Sequence, residues 1–360
     1  MPGFSSLKDF EAAARKKLRP EVFDYFAGGA MDEVTLELNT SAFDRWLFEY
    51  SVFKGGGARK MGTAVLGQPV KIPILMAPVA FQRLAHEDGE IATARCAGDA
   101  GTIMVVSMLA TTDIADIVAA GSGPIWMQLY IERDRGSTEA LIRRAEEAGC
   151  AALVVTADSP VSGRLDRILR NDFHVPPELM PVNVLPKTLK RLPRSLTQKI
   201  NRDFFESRLD PDLTWRDIDW IAGKTRLPVV VKGIVRPEDA IAALDHGARA
   251  IIVSNHGGRQ LDTAVPSIQA LPRVAAAVGT RADVLMDSGI RRGSHVLKAM
   301  ALGAKAVLIG RPIIWGLACG GQEGVKQMLA TLVDELENVM RICGCADVTD
   351  IAPELLALRG

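Results

Sequence analysis

The sequence predicts an α/β protein with a (β/α)8 TIM barrel, and two features support this prediction. Eight short apolar runs alternate with amphipathic helical segments from residue 72 onward, and eight parallel strands close such a barrel. No Gly-x-Gly-x-x-Gly follows any run, which disfavours the alternative, an open doubly wound sheet that binds a dinucleotide. The runs are IPILMAP (72–78), TIMVVS (102–107), PIWMQLY (124–130), AALVVTAD (151–158), LPVVVKG (227–233), RAIIVSN (249–255), ADVLMD (282–287) and KAVLIG (305–310).

We expect one barrel domain over residues 1–360, which includes an N-terminal helical segment at 1–60. Ser6 and Asp9 form a capping-box pattern before an apolar repeat of helical period. Pro20 is suited to the first turn of a second helix, and Gly28 to its end.

A long insertion is predicted after the fourth barrel strand, where about 75 residues separate the starts of consecutive apolar runs. The insertion, at 174–212, contains LPKTLKRLPRSLTQK, with leucines at helical spacing and basic residues between them. We expect a lid over the active face of the barrel. A basic amphipathic segment that touches a membrane surface and a solvated loop are the alternatives.

Composition favours an enzyme that acts on a small polar substrate. Lys plus Arg and Asp plus Glu both number 43, so no net charge attracts the chain to nucleic acid or to an anionic membrane. No run of about 18 apolar residues predicts a membrane-spanning helix, and the first residues lack the apolar centre of a signal peptide. We therefore expect a cytoplasmic protein without an integral membrane segment.

The five cysteines are predicted to be reduced. Cys96, Cys150 and Cys319 lie in apolar or helical surroundings, where a buried thiol is ordinary. Cys343 and Cys345 form a Cys-x-Cys without a second pair or a nearby histidine, so no metal site is expected.

Polar residues follow six of the predicted strands, at the barrel end where active residues lie. Each one alone could be a surface or hydrogen-bonding residue, but six such ends together indicate an active site. Glycines and arginines after the last two strands would suit a phosphate, which binds backbone N–H groups and guanidinium groups. The residues are Gln128, Tyr130, Thr156, Asp158, Lys232, Asn255, His256, Arg259, Asp287, Arg291, Gly310 and Arg311.

Six motifs follow one another along the chain: DYFAGGAMDEVTL (24–36), QLYIERD (128–134), VTADSP (155–160), VKGI (231–234), SNHGGRQLD (254–262) and IGRP (309–312). Together they resemble those of the FMN-dependent α-hydroxy-acid oxidases and dehydrogenases, a family that includes glycolate oxidase, lactate oxidase and mandelate dehydrogenase. The resemblance covers residues 6 to 348, and the His-Gly-Gly-Arg-Gln segment is a specific signature of the family. It implies an enzyme that uses FMN to oxidise an L-2-hydroxy acid, and a homo-oligomer, a tetramer in the family.

The resemblance also implies the roles of the residues that meet the substrate. His256 matches the base that takes a proton from the substrate, and Asp158 matches the carboxylate that pairs with this imidazole. Arg259 and Tyr25 match the groups that hold the substrate carboxylate. Tyr130 matches the tyrosine that hydrogen-bonds the substrate hydroxyl or the developing carbonyl.

The cofactor residues follow from the same resemblance. Lys232 matches the lysine beside the N1 and O2 edge of the flavin, where a positive charge favours the anionic reduced ring. The remaining residues match contacts to the flavin face, the ring edge, the ribityl chain and the phosphate. They are Pro78, Val79 and Ala80 for the face, Ser107, Gln128 and Thr156 for the ring, Asp287 for the ribityl chain, and Gly289, Arg291, Gly310 and Arg311 for the phosphate.

Three positions depart from the family pattern. Ser288 stands where the family has glycine, but its backbone N–H can still bind phosphate. The family also carries a second carboxylate-binding arginine two residues after a glycine; Arg164 is expected to take this role, although an ungapped reading places Leu165 there. Leu109 replaces an aromatic residue of glycolate oxidase, which favours a bulkier, aryl side chain on the substrate, as in mandelate.

Three alternatives remain open from the sequence. The reduced flavin could pass its electrons to O2 or to a quinone or other carrier, because oxidases and dehydrogenases of the family share these residues. A redox-neutral FMN-binding or phosphate-binding barrel, such as an isomerase or lyase, would explain the phosphate residues but not the tyrosines and His256. A flavin-binding protein that has lost catalysis through the change at Arg164 and Leu165 is the third.

Overall fold

The computed structural model describes residues 3–55, 57–184 and 207–359. The sequence LPKTLKRLPRSLTQK, on which the lid and membrane-contact predictions rest, lies outside these residues. Eight parallel strands form a closed barrel, which confirms the predicted fold. The barrel strands are β4 (Ile74–Met76), β5 (Met104–Val106), β6 (Ile125–Leu129), β7 (Ala152–Thr156), β8 (Val229–Ile234), β9 (Ala250–Val253), β10 (Asp283–Met286) and β11 (Ala306–Ile309).

Helices follow each barrel strand and cover the outside of the barrel. The last one is interrupted by non-helical backbone at Gly320 and Gly321, so it consists of two helices end to end. Apolar residues between strands and helices form the larger of two core clusters. The helices are α4 (Gly89–Asp99), α5 (Ile114–Ala120), α6 (Arg135–Ala148), α7 (Asp166–Asn171), α8 (Trp215–Lys224), α9 (Pro237–Asp245), α10 (Ser267–Val278), α11 (Gly293–Ala301) and α12 (Arg311–Cys343).

The N-terminal segment is helical as far as Arg45. It contains α1 (Leu7–Lys17), α2 (Pro20–Ala27) and α3 (Val34–Ser41), followed by a 3-10 turn at Ala42–Arg45. The Ser6 capping box, the start of α2 at Pro20 and its C-cap at Gly28 are confirmed. Beyond this point the helical prediction for 1–60 is wrong: β1 (Trp46–Phe48) pairs with β12 (Leu356–Leu358) near the end of the chain.

A short hairpin closes the N-terminal end of the barrel. It consists of β2 (Thr63–Val65) and β3 (Gln68–Val70), whose valines join the smaller core cluster inside the barrel. The backbone N–H of Leu66 donates to Asp283 Oδ2 at 2.8 Å, and the indole N–H of Trp126 donates to Gln68 Oε1 at 3.1 Å. Since this end is filled, the opposite, carboxyl end of the strands is the one that can hold a site.

Two further sequence predictions can be compared with the fold. The five cysteines are free and buried, as expected of reduced core residues. Across the described ranges, no helix has the length and apolar character needed to cross a membrane.

Candidate active site

A cavity of about 500 Å³ lies at the carboxyl end of the barrel strands, a size typical of sites for small ligands and cofactors. Strand ends form its floor, and α2 together with residues 162–175 forms part of its wall. Every site residue predicted from the sequence lines this cavity except Asp158, Arg164 and Asn255. The lining set comprises Tyr25, Pro78, Val79, Ala80, Ser107, Gln128, Tyr130, Thr156, Lys232, His256, Arg259, Asp287, Gly289, Arg291, Gly310 and Arg311.

His256 and Asp158 form a hydrogen-bonded pair at the edge of the cavity, with 2.8 Å between His256 Nδ1 and Asp158 Oδ1. Burial raises the pKa of Asp158, but the charge and hydrogen bond of His256 and the charge of Lys232 outweigh it, so that pKa lies below its usual value. An ionised carboxylate places the proton on Nδ1, which leaves Nε2 with its lone pair. The imidazole is therefore suited to accept a proton.

Backbone geometry brings these two side chains together. His256 has a φ of 59°, an unusual left-handed conformation for a residue other than glycine, and its N–H donates to Ser254 Oγ at 3.0 Å. Gly233 has a φ of 105°, and a Cβ at this position would lie 2.6 Å from Asp158 Cγ. The glycine thus makes room for the carboxylate, and its position beside Lys232 explains the Lys-Gly pair of the sequence motif.

Two further residues, which the sequence did not predict, link this pair to the cavity wall. Ser159 Oγ donates to Asp158 Oδ1 at 3.1 Å and accepts a hydrogen bond from Gln260 Nε2. Gln260 Oε1 in turn accepts the backbone N–H of Gly163 at 2.6 Å. Two positions in the sequence could have pointed to these residues: Gln260 lies within the histidine motif, and Ser159 lies next to Asp158. Only the fold shows that their side chains meet.

Tyr25 and Arg259 lie beside each other in the cavity. The guanidinium carbon of Arg259 is 5.3 Å from the centre of the Tyr25 ring, and its Nη1 donates to the carbonyl oxygens of Tyr25 at 2.7 Å and Gly28 at 3.0 Å. Burial raises the pKa of Tyr25, although the charge of Arg259 opposes this, and burial together with the charge of Asp158 raises that of Tyr130. Both phenols therefore keep their protons at neutral pH and can donate hydrogen bonds.

Lys232 and Asp287 form a buried ion pair at the cavity floor, with 3.1 Å between Nζ and Oδ2. Burial lowers the pKa of Lys232, but the charges of Asp287 and Asp158 raise it by more than burial lowers it. The net shift is therefore upward. Lys232 Nζ also donates to Ser254 Oγ at 2.9 Å. A fixed positive charge thus lies at the floor, beside a hydrogen bond of 3.0 Å from Gln128 Nε2 to Thr156 Oγ1.

Guanidinium groups concentrate positive charge at the other side of the cavity. Burial lowers the pKa of Arg291, and burial with the charges of Arg259 and Arg291 lowers that of Arg311 well below its usual value. An anion would offset this repulsion between like charges. Arg311 also donates to three backbone carbonyl oxygens, those of Phe26 at 2.9 Å, Gly257 at 2.9 Å and Gly28 at 2.8 Å.

Arg164 does not face the cavity, contrary to the expectation from the sequence, and Leu165 does. The side chain of Arg164 is 65% exposed, and its Nε lies 3.0 Å from Asp166 Oδ1. The reason is the position of Gly163, where a Cβ would lie only 2.1 Å from the carbonyl oxygen of Arg259. This close backbone contact fixes the register of the segment, so the second residue after the glycine, Leu165, points inward.

The sequence matches the FMN-dependent dehydrogenase family over residues 14–358. The chain belongs to this family. It is 45% identical over 357 residues to an L-lactate oxidase of Nostoc sp., covering 98% of each chain. It is 41% identical to 2-hydroxyacid oxidase 1 of Homo sapiens, covering 99% of this chain and 97% of that protein. A crystal structure of mandelate oxidase, 40% identical, superposes with a TM-score of 0.91 over 99% of both chains.

Because it belongs to this family, the chain is an enzyme, an FMN-dependent 2-hydroxy-acid oxidase or dehydrogenase. This confirms the expectation from the sequence motifs. The cavity residues fit FMN. The buried guanidinium groups of Arg291 and Arg311 suit its phosphate. A buried ammonium and amide and hydroxyl side chains at the floor suit the polar edge of its ring.

Proposed function

We propose that this enzyme oxidises an L-2-hydroxy acid to the corresponding 2-oxo acid, with His256 as the base. The observation that carries the proposal is the His256–Asp158 pair at the edge of the cavity that fits FMN, which Arg259 also lines. The bound flavin would supply the two-electron acceptor for this oxidation. The side chains described here would bind the substrate and take its proton.

The substrate would be held by its carboxylate and its hydroxyl. Arg259 and the protonated phenol of Tyr25 offer the charge and the hydrogen bond that a carboxylate binds. Tyr130 would donate to the substrate oxygen. His256 Nε2 would take the proton released in the oxidation, and Asp158 would stabilise the imidazolium that results.

FMN would lie along the floor of the cavity. Its ring would rest on the backbone of residues 78–80, with its polar edge towards Lys232, and its phosphate would bind Arg291 and Arg311. Ser107, Gln128 and Thr156 would hydrogen-bond the ring, Asp287 the ribityl chain, and Gly289 and Gly310 the phosphate.

The wall around the substrate favours a bulky apolar side chain. Residues of this wall are large and carry no polar atoms, so they bind hydrocarbon better than the small polar glycolate. They would accept an aryl group, as in mandelate, or a branched alkyl group. They are Phe81, Leu109, Leu165, Ile168, Leu169, Phe173 and Val175.

Anaerobic mixing with a panel of 2-hydroxy acids tests the proposal. The holoenzyme should lose its flavin absorbance with at least one member of the panel that has an apolar side chain, and react more slowly with glycolate. The variant His256→Ala should keep its flavin and show no reduction. Substrate-dependent reduction at the wild-type rate in that variant would show that another group is the base. Repeating the experiment with O2 or a quinone then identifies the electron acceptor.

A further inference from the structure

We infer that this site also oxidises neutral 2-hydroxy carboxamides, and that Leu165 is the residue that permits it. The inference rests on the proposed function, because it concerns the same site and the same residues. It follows from the charges around the substrate end of the cavity.

In the part of the chain that the structure describes, Arg259 is the arginine that lines the cavity at that end. Arg259 already donates through Nη1 to two backbone carbonyl oxygens, which reduces what it offers to a ligand. A carboxylate that leaves water needs strong compensation of its charge, whereas a carboxamide of the same shape needs only hydrogen bonds. A single, partly engaged guanidinium therefore distinguishes weakly between the two.

The wall segment next to Arg259 contains three arginines, and none of them lines the cavity. Arg164 is paired with Asp166, and so is Arg170, whose Nη2 lies 3.5 Å from Asp166 Oδ2. Arg167 is paired with Glu33 and Asp24. These ion pairs hold the three positive charges away from the substrate, and Leu165, between them, presents hydrocarbon to it.

The inward position of Leu165 is fixed by contacts that a substrate would not easily change. Gly163 packs against the backbone of Arg259 and Gln260, and its N–H donates to Gln260 Oε1. Rotating Leu165 outward to bring Arg164 inward would break both contacts. Among the described residues, those that line the substrate end of the cavity therefore offer the Arg259 guanidinium and the apolar surface of Leu165.

The neutral reaction balances in the same way as that of the acid. The α-carbon–hydrogen bond of the 2-hydroxy carboxamide breaks, and two electrons leave with that hydrogen for the bound FMN. The hydroxyl proton goes to His256, and the product is the 2-oxo carboxamide. No charge on the substrate enters these steps, so the loss of the carboxylate affects binding more than chemistry.

The test compares matched acids and amides on the wild-type holoenzyme without O2. The pairs are lactate and lactamide, mandelate and mandelamide, and 2-hydroxyisocaproate and its amide. We take the acid that reduces the flavin fastest and compare it with its amide. The ratio of the reduction rate constant to the dissociation constant should differ between the two by no more than about tenfold. An acid that reduces the flavin while its amide does not would overturn the inference and leave the proposed function intact. If no compound reduces the flavin, the proposed function itself fails.

Variants then test the role of Leu165. Leu165→Arg adds a charge-assisted hydrogen bond to a carboxylate, so it should raise the preference for acid over amide about 10- to 100-fold. Arg164→Leu is the matched control: it removes a cation one residue away and should leave that preference unchanged. If Leu165→Arg leaves the preference for acid over amide unchanged, or if Arg164→Leu reduces that preference, Leu165 does not face the substrate in the way that we infer.

A binding measurement keeps the inference independent of turnover. Phenylacetate and phenylacetamide lack the hydroxyl, and their dissociation constants can be read from the change in flavin absorbance. The wild type should bind the two within about tenfold of each other, and Leu165→Arg should favour phenylacetate. Binding of phenylacetate alone to the wild type would contradict the inference.

Discussion

The Ser288 hydroxyl accepts a hydrogen bond from the backbone N–H of Gly257 at 3.0 Å. The same oxygen donates to Asp287 Oδ1 at 2.9 Å. Ser288 thereby connects the loop that carries His256 to the buried Lys232–Asp287 pair. Its φ of 78° lies in the left-handed region, which favours glycine, and the two hydrogen bonds of the serine offset the backbone strain.

Two substitutions of Ser288 separate the contribution of its hydrogen bonds from the cost of its backbone strain. Ser288→Ala keeps the strained φ and loses both hydrogen bonds, so we expect it to lower the free energy of unfolding by about 1–2 kcal/mol. Ser288→Gly loses the same bonds but relieves the strain, which is worth about 1 kcal/mol, so its effect should be close to zero. Denaturant unfolding of both holoenzyme variants measures the difference. Equal losses in the two variants would mean that the backbone strain is negligible.

Because Lys232 and Asp287 form a buried ion pair, removing one partner should destabilise the protein more than removing both charges. Lys232→Met would leave a buried carboxylate without its partner, and we expect a loss of about 3–5 kcal/mol in unfolding free energy. The double variant Lys232→Met with Asp287→Asn should recover part of that loss. Since the pKa of Lys232 is raised above its usual value near 10.5, the pair's contribution is fully present below that pH and is lost only as the pH rises through the folded-state pKa. The cost should therefore be constant between about pH 6 and 9, and a cost that falls across this range would contradict the assignment.

Asp158→Asn should slow flavin reduction while leaving the cofactor bound. The amide no longer fixes the proton on Nδ1 of His256 and no longer stabilises the imidazolium, so we expect kcat/KM to fall by about 10²- to 10⁴-fold. Because the pKa of Asp158 is held below its usual value, its own titration should cause no change in activity above about pH 4.

A second histidine–aspartate pair provides the control for this variant. His246 Nδ1 lies 2.8 Å from Asp219 Oδ2, the same distance as in the cavity, but on the surface of the protein. Asp219→Asn should leave kcat/KM unchanged. A similar loss in both variants would point to a general effect on folding rather than to the base.

Asp262 connects the histidine motif to the N-terminal segment. Its carboxylate accepts the backbone N–H groups of Thr35 at 2.8 Å and Asp32 at 3.1 Å. Burial raises the pKa of Asp262, but these hydrogen bonds outweigh it and lower the pKa below its usual value. The stability that they provide is thus present at neutral pH and is lost as the pH falls from about 4 through the folded-state pKa.

We expect Asp262→Asn to lower the unfolding free energy by about 1–3 kcal/mol at pH 7, and this difference to shrink towards zero as the pH falls below about 4. Urea unfolding at several pH values measures it. Asp172→Asn, at a side chain that is 92% exposed, should show no such difference at any pH. A deficit in Asp262→Asn that persists unchanged at the lowest pH would mean that the charge of Asp262 is irrelevant.

The sequence predicted the features that depend on local pattern. Barrel strands such as Ala152–Thr156 are continuous apolar runs, since both of their faces are buried, and the glycine and proline signals set the ends of α2. The hairpin that closes the barrel has short strands with weak periodicity, so it gave no comparable signal.

Features that depend on contacts between distant segments were not predictable. Whether Arg164 or Leu165 enters the cavity is decided by the packing of Gly163 on Arg259, nearly a hundred residues along the chain. The hydrogen bond between Gln260 and Ser159 likewise requires the fold. A shift of one residue changes which side chain faces the ligand, and local sequence does not contain that information.

Gly163→Ala tests this packing directly. A Cβ at this position would lie 2.1 Å from the carbonyl oxygen of Arg259 and 2.7 Å from Gln260 Cα, so the wall segment or the histidine motif has to move. We expect a loss of about 1–3 kcal/mol in stability and a rise in KM, because Arg259 and Leu165 lose their relative positions. Gly223→Ala is the matched control: among the described residues, no atom beyond its chain neighbours and its own helix backbone lies within 4 Å of its Cβ position in α8, so the substitution should be neutral or stabilise by up to about 1 kcal/mol. Thermal unfolding and steady-state kinetics of both variants give the comparison. If Gly163→Ala behaves like Gly223→Ala, the contact between the wall and Arg259 does not fix the register, and Arg164 is again a candidate for the cavity.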